Sequence, residues 1–593
     1  MFRLQRWTRK PLRFWVMGAI AALITILSGA IALADQPLFV AYPPDGHETT
    51  SSNIFLIGTA PANGDVTVNG QPIRRSPAGH FAPSFPLSLG DNLFTLRHQD
   101  QELILRVNRQ SAVAPTPTGT AFAEGSLTPA VDIARLPGEP ICFEAIAPGN
   151  ATVSLSIGTQ TIPLSPQSSH ADLPLNSAVL TNQNEPVALN TAQRYQGCTI
   201  FNQVGDLGQP QFQLTLGGQT IRQAAPGRVT ILAPTNPTIV AVVVPSGTAR
   251  TGPSTDYSRL TPLPTGTRAT VTGYEGEWWR LDYGAWIRNT DVQVLPHATL
   301  TQTLIRSITS RQVEGATEIV FPLQVPVPVT VQQGDRTFTL TLHNITAQTD
   351  TIFLNDDPLI ERLDWQQPAP GKAQYTFNLK SNQQWGYSLR YEGTSLILSL
   401  RHPPVLSGRS LTGATILLDP GHGGPEDLGS RGPTGYPEKD VALAVSLLLR
   451  DELVQRGATV SMTRTTDIDL PLQDRVNQIN QVKPAIALSL HYNALPDSGD
   501  AENTDGVGTF WYNTQAHSLA VFLHNYLVEQ GDRPSYGVFW NNLALTRPTI
   551  APCVLLELGF MINPNEFEWI VNPTAQRRLA DTLADGIEQW LKG

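Results

Sequence analysis

The chain is poor in charge and has almost no cysteine. Asp, Glu, Lys and Arg make up 15% of its 593 residues, against roughly a quarter in an ordinary globular chain. The formal net charge of −10 lacks the basic footprint that a nucleic-acid partner requires, so nucleic acid is excluded as a partner. Three cysteines, Cys142, Cys198 and Cys553, are too few for a disulfide scaffold and fall in no zinc–cysteine spacing. Glycine (47) and proline (48) are plentiful, which is the composition of many short strands joined by turns. The length implies roughly three to six domains.

Residues 1–34 read as an export signal. Arg3, Arg6, Arg9, Lys10 and Arg13 precede an apolar run from Phe14 to Ala34, and Ala32-Leu33-Ala34 has the form of a cleavage site. Cleaved, the segment delivers the chain to the periplasm or cell envelope. Uncleaved, its apolar run is long enough to remain as an inner-membrane anchor. Either way the rest of the chain crosses a membrane, and a Cys142–Cys198 disulfide is expected in an oxidising compartment.

Most of the remainder reads as β-structure. Residues 35–111 contain Ile54-Phe55-Leu56-Ile57-Gly58, Val66-Thr67-Val68 and an Asn69-Gly70 hairpin turn. They resemble the bacterial immunoglobulin-like modules of secreted hydrolases. A Pro/Thr/Ala/Gly-rich linker, expected to be extended or mobile, spans 112–126. Residues 127–233 alternate apolar and polar side chains at Val153–Ile157 and Phe212–Leu216 and form a second β-domain. Residues 238–296 run through Ala249-Arg250-Thr251-Gly252-Pro253-Ser254, Gly276-Glu277-Trp278-Trp279 and Gly284-Ala285-Trp286-Ile287. That order resembles the bacterial SH3-like barrel, with the three tryptophans as core or groove aromatics. Residues 299–405 are β-rich and similar to the wall-localising AMIN domain; a generic sandwich fits the same pattern.

The texture changes in residues 410–593. Strand-like Ala414–Leu418, Thr459–Thr463, Ala485–Leu490 and Cys553–Leu556 alternate with helical Glu438–Gly457, Leu472–Val482, Ala516–Gln530 and Thr574–Leu591. This is an α/β domain with a largely parallel sheet. The expected fold class is therefore multidomain: several all-β domains, sandwiches and an SH3-like barrel, followed by a C-terminal α/β zinc-hydrolase domain.

His422 in Asp419-Pro420-Gly421-His422-Gly423-Gly424, His491 in Ser489-Leu490-His491-Tyr492-Asn493 and Glu557 in Leu555-Leu556-Glu557-Leu558-Gly559-Phe560 all fall at strand ends. Open α/β sheets gather their ligands there. Glu438 opens the helix after the glycine loop. Two imidazoles and a carboxylate suit Zn²⁺ with one position left for water, and a further carboxylate can carry the proton. Glu426 and Asp427 compete with Glu438 as ligands, Asp419 is read as orienting the loop, and Cys553 as a buried hydrophobe.

These motifs resemble the type-3 family of zinc-dependent N-acetylmuramoyl-L-alanine amidases. The resemblance implies His422, Glu438 and His491 as metal ligands and Glu557 as the catalytic carboxylate. Arg475 and Arg547 fit the family pattern, and Arg547 and Asn493 are the candidate substrate-binding residues. The implied substrate is peptidoglycan, cut between N-acetylmuramic acid and L-alanine, with the β-domains targeting the wall. Tyr492 stands where many members have a small residue and would narrow the crevice. No blocking helix is expected between His491 and Glu557, because Gly531–Asn542 is too short and too rich in Gly, Pro and Asn, and Leu543–Leu545 reads as strand. The catalytic domain from about residue 408 is therefore expected to act alone. A wall binder without activity, a stem-peptide peptidase and a sugar deacetylase remain as alternatives.

Overall fold

The computed structural model describes residues 37–111, 117–167, 170–181, 184–189, 193–298, 302–408 and 410–593. The export segment and the first residues of the expected linker lie outside these. Among the described residues no helix is long and apolar enough to cross a membrane.

Residues 37–110 bury Ile54, Leu56, Val66, Val68, Phe81, Leu96 and Val107 between a three-stranded and a five-stranded sheet. The Asn69-Gly70 pair has positive φ at both residues (50° and 78°) and joins the antiparallel strands Val66–Val68 and Gln71–Pro72. This is the turn chemistry that a tight hairpin requires. The stretch read as linker is not free chain throughout: Phe122 is buried in the core of the second β-domain, with Phe143, Leu155 and Phe212. In that domain Cys142 and Cys198 sit directly opposite on paired strands and are joined as a disulfide.

The boundary between the second β-domain and residues 238–296, read from the sequence as a barrel, is crossed by a sheet. Ile133–Arg135 pairs with Val229–Ile231 on one side and with Arg268–Glu275 of the barrel on the other. Trp278 and Trp286 are buried beneath guanidinium groups: Arg250 and Arg288 over Trp278, Arg135 over Trp286. Trp279 is half-buried against the barrel core. Residues 302–401 form a sandwich of a five-stranded and a four-stranded sheet around Phe321, Phe338, Tyr375 and Phe377.

The C-terminal domain is built from β1 (Thr415–Pro420), α1 (Glu438–Gln455), β2 (Thr459–Met462), α2 (Leu472–Val482), β3 (Ile486–Asn493), β4 (Val507–Trp511), α3 (His517–Glu529), β5 (Ser535–Trp540), β6 (Cys553–Phe560), α4 (Pro564–Ile570) and α5 (Pro573–Lys592). The sheet order is β2-β1-β3-β6-β4-β5. All neighbours are parallel except β4 and β6. One face, with Ile416, Leu418, Leu488, Leu490, Val554 and Leu556, is covered by α1, α3 and α5. The alternate residues Leu417, Ala487 and Cys553 pack with Ile479 of α2 and with Leu545, as the two-residue period of a strand requires.

Three sequence readings need correction here. Leu543–Leu545 is not a strand, because Ala544–Thr546 is a single 3₁₀ turn. Gly531–Asn542 contains the edge strand β5, whose Gly537 and exposed Trp540 concealed the alternation. The seven-residue α4 went unread, although Asn563 caps it and Pro564 opens it. The same Asn-Pro signature opens α5 at Asn572-Pro573.

Candidate active site

The carboxyl ends of β1, β3 and β6 lie side by side, and register sets His491 directly opposite Glu557. His422 follows β1 with φ +58°, which turns the chain sharply out of the strand. Two buried arginines hold this corner. Arg475 donates to Asp419 (2.8 Å), Pro420 O (2.7 Å) and His422 O (2.6 Å), and Arg464 donates to Pro420 O (3.0 Å) and Gly421 O (2.7 Å). Asp419 also accepts from Thr463 and Ser489, so its carboxylate is used in orienting the loop. Arg475 was legible as a motif residue. Arg464 was not, because nothing before the fold brings the end of β2 beside β1.

Glu438 is the first residue of α1 and is 3% exposed. The amino end of a helix favours a carboxylate, and five polar groups complete its setting. Oε1 faces His422 Nε2 (3.2 Å) and His491 Nδ1 (3.0 Å) and accepts from the Tyr492 amide (2.9 Å). Oε2 accepts from the Ser430 amide (2.8 Å) and hydroxyl (3.0 Å). Ser430 was missed by the sequence reading; it carries no signal beyond following Gly429. Gly429 has φ +67°, and a Cβ there would stand 2.6 Å from both Glu438 Oε2 and His422 Cδ2.

His422, Glu438 and His491 each offer a ligand atom, and these atoms lie within 4.8 Å of one another. Asp427, weighed as a competing ligand, instead pairs with the far nitrogen of His422, Nδ1, at 2.6 Å. A carboxylate on that side fixes the ring and leaves Nε2 toward the cluster. Glu426 is exposed and is not in the cluster. Burial pulls the His422 imidazolium down, but Glu438 and Asp427 outweigh it and hold its pKa at about 9. Burial likewise opposes the Glu438 charge, yet the two histidines keep its carboxyl far below the usual range. Glu557 behaves in the opposite way. Burial, and then the charge of Glu438, push it well above an ordinary carboxylic acid. Its Oε2 is buried with no hydrogen-bond partner among the described residues.

The remaining candidates separate from this cluster. Tyr492 does not narrow the crevice: it is 1% exposed and belongs to the buried core of the domain, since it alternates with His491. Asn493 ends β3, where its side chain accepts from the Ala494 amide (2.8 Å). Arg547 is not brought to the cluster. It precedes the amino end of β6, its carbonyl bonded to Asn513 (2.9 Å), while Glu557 lies toward the other end of that strand. His517 packs on Trp511 and His524 bonds to Ser535 and Asn525, away from the cluster.

The family model described as N-acetylmuramoyl-L-alanine amidase matches residues 416–589. The C-terminal region is an amidase domain of this family. A relative, the "Probable cell wall amidase LytH" of Staphylococcus aureus, is 36% identical over 180 residues, which are 30% of this chain and 58% of that protein. The chain thus spans less than two thirds of that relative. The catalytic domain of CwlV from Bacillus (Paenibacillus) polymyxa is 29% identical with a TM-score of 0.28, covering 30% of this chain and 98% of its own. An N-acetylmuramoyl-L-alanine amidase from Clostridium difficile 630 is 28% identical with a TM-score of 0.29, covering 31% and 99%. The amidase domain holds all four motif residues, His422, Glu438, His491 and Glu557, at one end of its sheet.

Proposed function

We propose that this chain is a zinc-dependent peptidoglycan amidase of the cell envelope, cleaving the amide between N-acetylmuramic acid and L-alanine. The observation that carries the reading is the half-buried cluster of His422, Glu438 and His491 beside an unpartnered Glu557 oxygen. The donor set fits zinc: two nitrogens and one carboxylate oxygen converge, and second groups steer His422 and Glu438. Bound there, zinc supplies a Lewis acid and lowers the pKa of water toward neutrality.

The chain's own residues do the rest. Asp427 holds the His422 ring, and the Ser430 and Tyr492 amides hold the Glu438 carboxylate. Glu557 would take a proton from the attacking water at its free oxygen. It would pass that proton to the amine nitrogen of L-alanine, as the water oxygen bonds to the carbonyl carbon and the C–N bond breaks. A carboxyl raised well above its ordinary value by burial and by the Glu438 charge holds a proton more readily, as that task requires. Export, with or without retention of the apolar segment, places the enzyme beside its substrate. The Cys142–Cys198 disulfide supports an oxidising compartment. The β-modules are read as wall-targeting units.

Chelation of the full chain should abolish release of stem peptides from purified wall material, and added Zn²⁺ should restore it. Undiminished hydrolysis in protein shown to be metal-free would exclude this mechanism.

A further inference from the structure

The N-terminal immunoglobulin-like module, although some 400 residues upstream in sequence, packs against the end of the sheet that carries the metal cluster. Its Phe55, Ile57 and Ala82 form one buried cluster with Ala501, Phe560 and Ile562 of the amidase domain. Phe560 ends β6, three residues beyond Glu557, and Ala501 lies on the loop that runs on from His491 through β3. Polar contacts follow the same loop. Tyr42 donates its hydroxyl to Asp497 Oδ1, and His47 Nε2 lies 3.0 Å from Asp497 Oδ2. Ser84 donates to Gly499 O (3.4 Å), and Arg74 pairs with Glu502 at 3.3 Å. On the other side of the cluster, the ring of Phe39 lies about 3.5 Å from where a side chain on Gly435 would begin, in the turn just before Glu438.

We infer that this module is a working wall of the catalytic crevice, and that Tyr42, His47 and Asp497 form a latch positioning the loop after His491 for substrate binding. The inference rests on the amidase reading for its substrate, a muropeptide, but the latch itself is defined by geometry alone. The amidase domain anchors the far end of the loop itself: Asn563 donates to Glu502 O and Thr504 O (both 3.1 Å). The near end, Leu495–Gly499, is held from the N-terminal module. Asp497 is a positioning residue, so its loss should weaken substrate binding before it touches the chemistry.

The test uses the full chain with Asp497→Ala, and Tyr42→Phe as a milder variant that removes one donor and keeps the ring. Hydrogen exchange over residues 494–506, kcat and KM on a soluble muropeptide, zinc content and thermal unfolding are read in parallel. In Asp497→Ala, exchange in 494–506 should rise about tenfold and KM about tenfold, with kcat and zinc content within about twofold of wild type. Tyr42→Phe should shift both in the same direction by less. Unchanged exchange in both variants overturns the latch. Faster exchange with unchanged KM, or a fall in kcat that tracks lost zinc or lost fold, overturns its positioning role. If the wild type does not cleave muropeptide, the amidase reading fails, and loop exchange still decides whether the latch exists.

Discussion

Glu438 and Glu557 are chemically the same side chain in one crevice, and their surroundings drive them in opposite directions. Glu438 meets two imidazoles and three donors, whereas Glu557 meets burial and a neighbouring negative charge. Pairs of titratable groups pushed apart in this way divide the work of holding charge and moving protons. Glu557→Gln should therefore retain zinc and lose turnover by about 10²–10⁴-fold, because an amide cannot accept the proton. His422→Ala should lose the metal itself. Metal analysis beside a turnover assay separates the two, and equal loss of zinc in both variants would make Glu557 a ligand. His422, His491 and Glu557 were legible because each sits inside a short motif at a strand end, and Glu438 because it opens the helix after the glycine loop. Ser430 and Arg464 were not, because only the folded loop brings Ser430 to the Glu438 carboxylate and Arg464 to the carbonyls of Pro420 and Gly421.

At the scale of elements, the glycine loop between β1 and α1 decides whether the cluster forms. Its residue 429 combines a left-handed backbone with contact to both His422 and Glu438. Gly429→Ala should cost about 1–2 kcal/mol in backbone strain alone. It should also weaken zinc binding by about 10–100-fold, since the added methyl would stand 2.6 Å from atoms of both His422 and Glu438 and push these ligands from their positions. Competition titration with a chromophoric chelator would measure this, and wild-type affinity would show that the loop yields without moving its ligands. The long helices and buried strands were readable from period and length. β5 and α4 were not: β5 is an exposed edge strand interrupted by Gly537, and α4 has only seven residues. An expectation that Leu543–Leu545 is extended failed for a related reason, since three residues hold too little pattern to separate a turn from a strand.

Across the whole molecule, the modules are joined more tightly than linker composition suggested. A sheet runs from the second β-domain into the region read as a barrel, and Phe122 of the supposed linker is core. The sandwich of residues 302–401 bonds to the amidase domain through Tyr387 N to Thr549 O (2.7 Å) and Arg401 to Ile550 O (2.9 Å). A catalytic domain cut free near residue 408 would bare Phe560, Ile562 and Ala501, so the expectation of an independent domain sits poorly with these interfaces. Sequence patterns show which face of a strand is buried, but not against which module. The junction between the barrel and the sandwich carries a pH dependence. There His343 packs against Tyr283 with ring centroids 4.8 Å apart and the rings tilted by 39°. Burial, and then the Lys372 ammonium, pull His343 down from 6.5 to about 4, so it is neutral when folded and gains a proton on unfolding at mildly acid pH. Its stabilisation is intact above pH 6.5 and is lost as pH falls from 6.5 toward 4, by up to about 3 kcal/mol. Thermal unfolding across that window should flatten in His343→Phe, and an unchanged slope would assign the pH dependence to other groups. The central claim is the bond that is cut. Intact sacculi digested with the full chain, followed by end-group labelling of the released peptides, test it most directly. The account predicts new amino groups on L-alanine with the glycan strands left whole, and amino groups on any other stem residue, or release of acetate, would contradict it.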